Sequence, residues 1–256
     1  MHSLEGVTKS DQYRALGLST FAFTVCFAVW TIFSIIGVKI KADLGLNDTQ
    51  FGLLVAMPVL TGSISRIFLG VWTEQFGGRL MFPLQMLLTA VCVWLLTSVQ
   101  TYEVFLLAAL GLGLAGGSFI IGIAYVSQWF EKEKQGTALG IFGAGNVGAA
   151  VTNFAAPFLV VAMGWQGTAR IYAIVLAATA VAFYLLSKED PAQAVRKRTG
   201  SSAVSAAEQL APLKNIQVWR FATYYFFVFG GFVALASFLP RYYVGAYGLE
   251  LTTAGV

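Results

Sequence analysis

Apolar residues in this chain come in long runs divided by short polar segments. Seven runs stand out, over approximately 16–38, 52–74, 80–98, 103–129, 136–162, 168–187 and 217–240. Each exceeds what a core helix of a soluble domain needs and fits a membrane span of about 20 residues. Six runs follow one another closely. The segment from Lys188 to Asn215 is then polar and carries KED, RKR and TGSSAVSAAEQ. It reads as a linker between two halves. The pattern predicts an all-α integral membrane protein. Residues 1–187 are expected to form a six-helix bundle and 188–215 a linker, with 216–256 starting a second bundle. The chain stops at Ala254, Gly255 and Val256 just where an eighth span would begin, so the second bundle is expected to be cut short.

Composition agrees. The chain is 57% hydrophobic and 11% charged, whereas soluble domains carry about 25% charged residues. The opening MHSLEGVTKSDQYR is polar with mixed charge and unlike a cleavable signal peptide, so the first run should be retained as a span. Lys and Arg set the orientation. With the N-terminus inside, the inner loops collect Lys9, Arg14, Arg79, Lys132, Lys134, Lys188, Arg196, Lys197, Arg198 and Lys214. The outer loops collect Lys39, Lys41, Arg170 and Arg241, the first two facing Asp43 and Asp48. The net charge of +4 is thus a topology signal and gives no reason to expect nucleic-acid binding. Cys26 and Cys92 lie inside apolar runs and read as small packing residues. His2 is the single histidine and sits in the tail, which removes histidine-based metal sites and catalysis. Asn47 followed by Gln50 predicts a capped start for the second span.

Arg66 breaks the pattern. It lies deep inside MPVLTGSISRIFLGVW, and every Asp and Glu sits at or beyond the edge of a run. A cation at membrane depth is costly and usually faces a cavity or pathway. Left without a carboxylate, it calls for an anion. The fifth span is unusual too. In GTALGIFGAGNVGAAVTNFAAP, Gly136, Gly140, Gly143, Gly145 and Gly148 crowd one helix around Asn146, with Asn153 two turns on. Small residues let helices approach closely in a membrane, and a buried amide needs partners or an anion. Counting 1.5 Å per residue puts Arg66 roughly 12 Å, and Asn146 roughly 14 Å, from the inner ends of their spans. Tyr225 and Phe229 fall at a similar depth, with Phe119 slightly higher. An amide, a guanidinium, glycine backbone and flat rings at one level suit a small planar anion. Arginine serves better than lysine there, because its flat fork gives two parallel hydrogen bonds to an oxyanion.

The turn GVWTEQFGGR, with Gly70, Glu74, Gly78 and Arg79, resembles the G-x-x-x-D-R-x-G-R-R loop of the major facilitator superfamily, with Glu74 in place of Asp and Gln75 in place of the first Arg. The resemblance implies that this loop braces the inner gate. AGNVG within GIFGAGNVGAA, ending at Pro157, resembles the nitrate signature of the nitrate/nitrite porter (NarK-type) family within that superfamily. TGSISRIFLGVWTEQFGGR resembles that family's second span, and YYFFVFGGFVALASFLPRYYV its seventh. The resemblance implies a major facilitator-type six-helix N-terminal bundle plus the first helix of the next bundle. It gives Arg66 the nitrate-binding role, Gly140 to Gly148 with Asn146 the signature, and Tyr225 and Phe229 the aromatic clamp. In that family a second arginine and a second signature lie beyond the equivalent of Val256.

The expected function is secondary transport of nitrate, and of nitrite, across a bacterial inner membrane by alternating access, with a cytoplasmic N-terminus. The partners are then the anion, the lipid bilayer and the missing C-terminal bundle; no cofactor is implied. Coupling stays open. The lack of membrane-buried acids favours nitrate/nitrite exchange, whereas the sequence flavour lies closer to the proton-coupled branch. Transport of another small anion, or a half-bundle serving as a non-transporting partner, are the alternatives. An integral membrane enzyme would need a nucleophile–base pair, metal ligands or paired carboxylates at one depth, and the span interiors hold no His, Asp or Glu.

Overall fold

A computed structural model describes residues 7–99, 101–200 and 205–254. Its elements are helices: α1 (Lys9–Trp30), α2 (Phe33–Leu44), α3 (Asp48–Phe76), α4 (Gly78–Leu96), α5 (Tyr102–Gly113), α6 (Ser118–Ser127), α7 (Lys132–Gly143), α8 (Gly148–Leu186), α9 (Pro191–Thr199), α10 (Ala206–Leu210), α11 (Ile216–Tyr247) and α12 (Leu251–Ala254). Tighter 3₁₀ turns join α5 to α6 over Leu114–Gly117 and α7 to α8 over Ala144–Val147.

Among the described residues, six helical stretches are long and apolar enough to cross a membrane. The sequence predicts seven, and the difference lies in Lys132–Leu186. That stretch has 55 residues, or about 80 Å of helix, far more than a bilayer's hydrocarbon thickness. It breaks at Gly164, whose φ of 73° only glycine adopts without strain. The two arms then pack side by side, and the Tyr172 hydroxyl donates to Thr152 Oγ1 at 3.2 Å. Spans five and six are therefore separate, as the run lengths require.

The predicted cap on the second span is present. Asn47 Oδ1 accepts from the Gln50 N–H at 2.9 Å, and Gln50 Oε1 accepts from the Asn47 N–H at 3.0 Å. The first span bends at Thr31, whose hydroxyl donates back to the carbonyls of Phe27 and Ala28. Such back-bonding loosens the helical ladder. Lys41 pairs with Asp48, which also meets Arg241 of α11. Asp43, expected to face a lysine, instead accepts from Trp165 Nε1 at 3.0 Å.

The core sits where α1 is wrapped by α8, α6 and α7, with α4 against α8 and α3 against α5. Two glycines of the fifth span pack tightly against α1. A methyl on Gly148 would lie 2.7 Å from the Ala28 nitrogen, and one on Gly145 would lie 2.5 Å from the Phe23 ring. Cys26 is buried, Cys92 half-buried, and both are free thiols. α11 rests mainly on α2, with most of its circumference bare.

The segment after α8 is more structured than its polar composition suggests. Asp190 caps α9 by accepting from the Gln193 N–H at 2.9 Å, and Gln193 Nε2 donates to the Gln75 carbonyl at 3.2 Å. α9 is thereby docked on the α3–α4 turn. Ser201–Val204, and the terminal Gly255 and Val256, lie outside the described residues, as does His2.

Candidate functional site

Arg66 projects from the middle of α3 into the bundle. Its Nε donates to the Gly116 carbonyl at 3.1 Å. Its guanidinium carbon lies 5.5 Å from the Phe119 ring centre, 5.6 Å from Phe229 and 6.0 Å from Trp30. The Tyr225 side chain stands alongside. Among the described residues Arg66 has no ion pair with a carboxylate. The side chain is therefore half-buried among aromatic faces, with Nε given to the Gly116 carbonyl, the Tyr225 hydroxyl within hydrogen-bonding reach of the guanidinium, and its charge unneutralised by any described carboxylate. Cation–π contact is worth roughly 0.5–2 kcal/mol per ring. That holds the cation in place.

The rings are ordered. Tyr225 and Phe229, one turn apart on α11, stack at 4.8 Å and 16°. Phe119 lies nearly parallel to both at 6.3 Å. Phe119 and Phe229 lie at almost the same distance from Arg66. Flat, nearly parallel faces thus stand together beside a flat cation.

The carbonyl partner of Arg66 comes from a local backbone feature. A 3₁₀ turn in the middle of a helix marks a departure from the regular i→i−4 ladder. In Leu114–Gly117 it is bought with glycine, and the indole of Trp30 slots against it. A methyl on Gly62 would meet Trp30 Nε1 at 2.9 Å, and one on Gly116 would meet it at 3.0 Å. Trp30 Nε1 donates to the Pro58 carbonyl at 2.9 Å. Trp30 and the Gly116 carbonyl are the residues that reading the sequence missed. A mid-span tryptophan and the small run LGLAGGS were visible, but nothing in a linear pattern tells which ring or carbonyl meets Arg66.

The fifth span divides its glycines. Gly145 and Gly148 are consumed by packing on α1, whereas Gly140 and Gly143 have open space beside them. Asn146 Nδ2 donates to the Gly143 carbonyl at 2.8 Å. Its Oδ1 is buried without a partner. Asn146 and Asn153 line one cavity of about 450 Å³ with Phe232, Ala236 and Tyr243. Asn153 Oδ1 accepts from Ser34 at 3.1 Å. Asn146 does not hydrogen-bond Arg66 among the described residues. Phe142, four residues before Asn146, stacks on Phe119 at 6.1 Å.

The α3–α4 turn holds Gly70, Glu74, Gly78 and Arg79 away from the Arg66 cluster. Gly77 makes the turn with φ of 85°. Gly78 accommodates the Tyr125 side chain, whose ring lies 2.7 Å from where a methyl would be, and Gly70 fits against Ile120. Glu74 pairs with Arg196 of α9 at 3.6 Å. Arg79 lies over Tyr184, 5.3 Å from its ring centre. Burial pushes the Asp190 carboxyl above its ordinary value, against the pull of the Gln193 N–H and Arg196.

Comparison with known proteins follows these features. The family model described as Major Facilitator Superfamily matches residues 18–256. The "Probable nitrate/nitrite antiporter NarK1" of Thermus thermophilus is 40% identical, covering 97% of this chain and 57% of its own. The "Nitrite extrusion protein" of Bacillus subtilis (strain 168) is 34% identical, covering 96% of this chain and 60% of its own. The "Probable nitrate transporter NarT" of Staphylococcus carnosus (strain TM300) is 32% identical, covering 98% and 63% respectively. The chain thus spans about three fifths of the length of these relatives. Among solved structures, a bacterial homolog of the human lysosomal transporter Spinster, in an inward-facing and occupied conformation, superposes with a TM-score of 0.75 at 16% identity, over 97% of this chain and 57% of its own.

Proposed function

Because the chain belongs to the Major Facilitator Superfamily, we propose that its Arg66 slot binds nitrate and nitrite and that the protein moves them across a bacterial inner membrane by alternating access. The observation that carries this is an unneutralised guanidinium held among the rings of Trp30, Phe119 and Phe229. A planar oxyanion completes the site. It takes two parallel hydrogen bonds from the terminal nitrogens, lies between flat faces, and cancels a charge that is costly at that depth. The names of the curated relatives support the choice of anion.

The site is shared between the two sides that would move. Arg66 belongs to the first six spans, Tyr225 and Phe229 to the seventh. An anion between them favours the conformation in which both sides close on it, which is how a midplane site drives alternating access. The docked α3–α4 turn, with Glu74 on Arg196, is the matching brace at the cytoplasmic end. Orientation of the N-terminus to the cytoplasm follows from the loop charges.

Coupling is read as nitrate/nitrite exchange, since among the described residues no carboxylate pairs with Arg66 to carry a proton. Liposomes containing the protein test this. Nitrate uptake driven by internal nitrite, at equal pH on both sides, is the expected result. Uptake that requires an inward proton gradient and ignores internal nitrite overturns exchange in favour of symport. Equal competition by nitrate, chloride and formate overturns the planar slot itself.

A further inference from the structure

Gln85 is a large polar side chain on α4, 2% exposed, in the middle of an apolar span. The site described above makes no use of it. Its Nε2 donates to the Leu114 carbonyl at 2.9 Å and to Thr89 Oγ1 at 3.1 Å. Its Oε1 faces the Cys26 thiol at 3.9 Å. A buried amide with both donor directions engaged resists rotation, because either turn strands a polar atom in apolar surroundings.

The target of that amide is informative. Leu114 opens the 3₁₀ turn, and Gly116, two residues on, supplies the carbonyl that holds Arg66 Nε at 3.1 Å. One short turn is thus gripped from two sides, by Gln85 on α4 and by Arg66 on α3. Four residues of tight turn cannot reorient one end alone. Fixing the Leu114 carbonyl fixes the direction of the Gly116 carbonyl. Because the Nε–H lies in the guanidinium plane, that carbonyl in turn sets the plane, and with it the aim of the two terminal nitrogens.

We infer that Gln85 is a positioning residue for the anion site, acting on Arg66 through the Leu114–Gly117 turn. The inference rests on the reading of Arg66 as the anion's partner. A side chain that locks a binding group's own support is the usual origin of sub-ångström aim in a site.

The test measures nitrate affinity and transport by the purified protein in liposomes. Gln85→Met keeps length and bulk and removes the donor. The expected result is a rise in nitrate KM of about tenfold, equivalent to about 1.4 kcal/mol, with maximal rate within about twofold and weakened preference for nitrate over chloride. A double-mutant cycle with Arg66→Lys separates positioning from general packing. If Gln85 works through the guanidinium, Gln85→Met adds little once Arg66→Lys is present. An undiminished extra loss in that background overturns the inference, as does an unchanged KM in Gln85→Met alone. Thr89→Val, which loosens the amide's second anchor at nearly constant volume, gives the same reading if Gln85→Met fails to insert: a KM rise of a few fold is expected, and no change overturns the inference. Failure of the underlying reading looks different, since Arg66→Lys by itself then leaves nitrate affinity intact.

Discussion

Replacing Arg66 by lysine keeps the charge and removes the fork. In the structure the guanidinium spends Nε on the Gly116 carbonyl at 3.1 Å; on the proposed reading its terminal nitrogens face the anion. A lysine ammonium has one nitrogen for both tasks. It can bond the carbonyl or the anion, and it cannot present two parallel donors to a planar oxyanion. Losing one charge-assisted hydrogen bond costs about 1.5–3 kcal/mol. At 1.4 kcal/mol per tenfold, a central loss of about 2 kcal/mol weakens nitrate binding roughly thirtyfold. The aromatic cage adds to this, because a flat guanidinium stacks on rings in a way a point charge does not. Binding is measured by calorimetry on the detergent-solubilised protein, and uptake in liposomes at nitrate concentrations below the wild-type KM. Uptake is expected to fall close to background, while insertion, judged by yield and a single chromatographic peak, stays normal. Binding within threefold of wild type refutes the fork argument and leaves Arg66 as a structural cation.

The glycines of the fifth span should separate. Gly148→Ala forces a methyl to within 2.7 Å of the Ala28 nitrogen and should cost about 1–3 kcal/mol of stability, read as a lowered melting midpoint; Gly140→Ala meets nothing within 4 Å and should leave the midpoint unchanged or raised. A midpoint drop in both variants contradicts the division. Asn146→Asp places a negative charge where the unpartnered Oδ1 is buried, and nitrate uptake should fall by at least tenfold; uptake equal to wild type removes Asn146 from the anion's surroundings. Asp190 lies outside the membrane-spanning segments and its carboxyl is raised, chiefly by burial. The folded state then binds its proton more tightly than the unfolded state, so its contribution favours folding at acid pH and is lost as pH rises through the folded value. The stability of Asp190→Asn relative to wild type should therefore increase as pH rises from the ordinary aspartate value towards neutrality, and a pH-independent difference between the two would count against a raised Asp190.

Much of the architecture was legible because it is one-dimensional. Span number follows from run length against bilayer thickness, and this held even where Lys132–Leu186 appears as one helical stretch, since 168–187 is a separate apolar run. The Asn47–Gln50 cap is a local pattern and appeared as read. Arg66 was visible as a cation among apolar neighbours, and Tyr225 and Phe229 fell at its depth by counting. Chain pattern could not say that Trp30 and the Gly116 carbonyl hold Arg66, that Gly145 and Gly148 are packing glycines while Gly140 and Gly143 have space, that Gln85 grips the Leu114 carbonyl, or that α9 docks on the α3–α4 turn. In a soluble helix the apolar stripe announces the buried face. In a membrane bundle lipid and core are both apolar, so away from a polar residue such as Arg66 or a small-residue run the spans are hydrophobic all round, and rotation about each axis leaves little trace in the sequence. Depth is therefore written in the chain; facing is settled only when the helices close against one another.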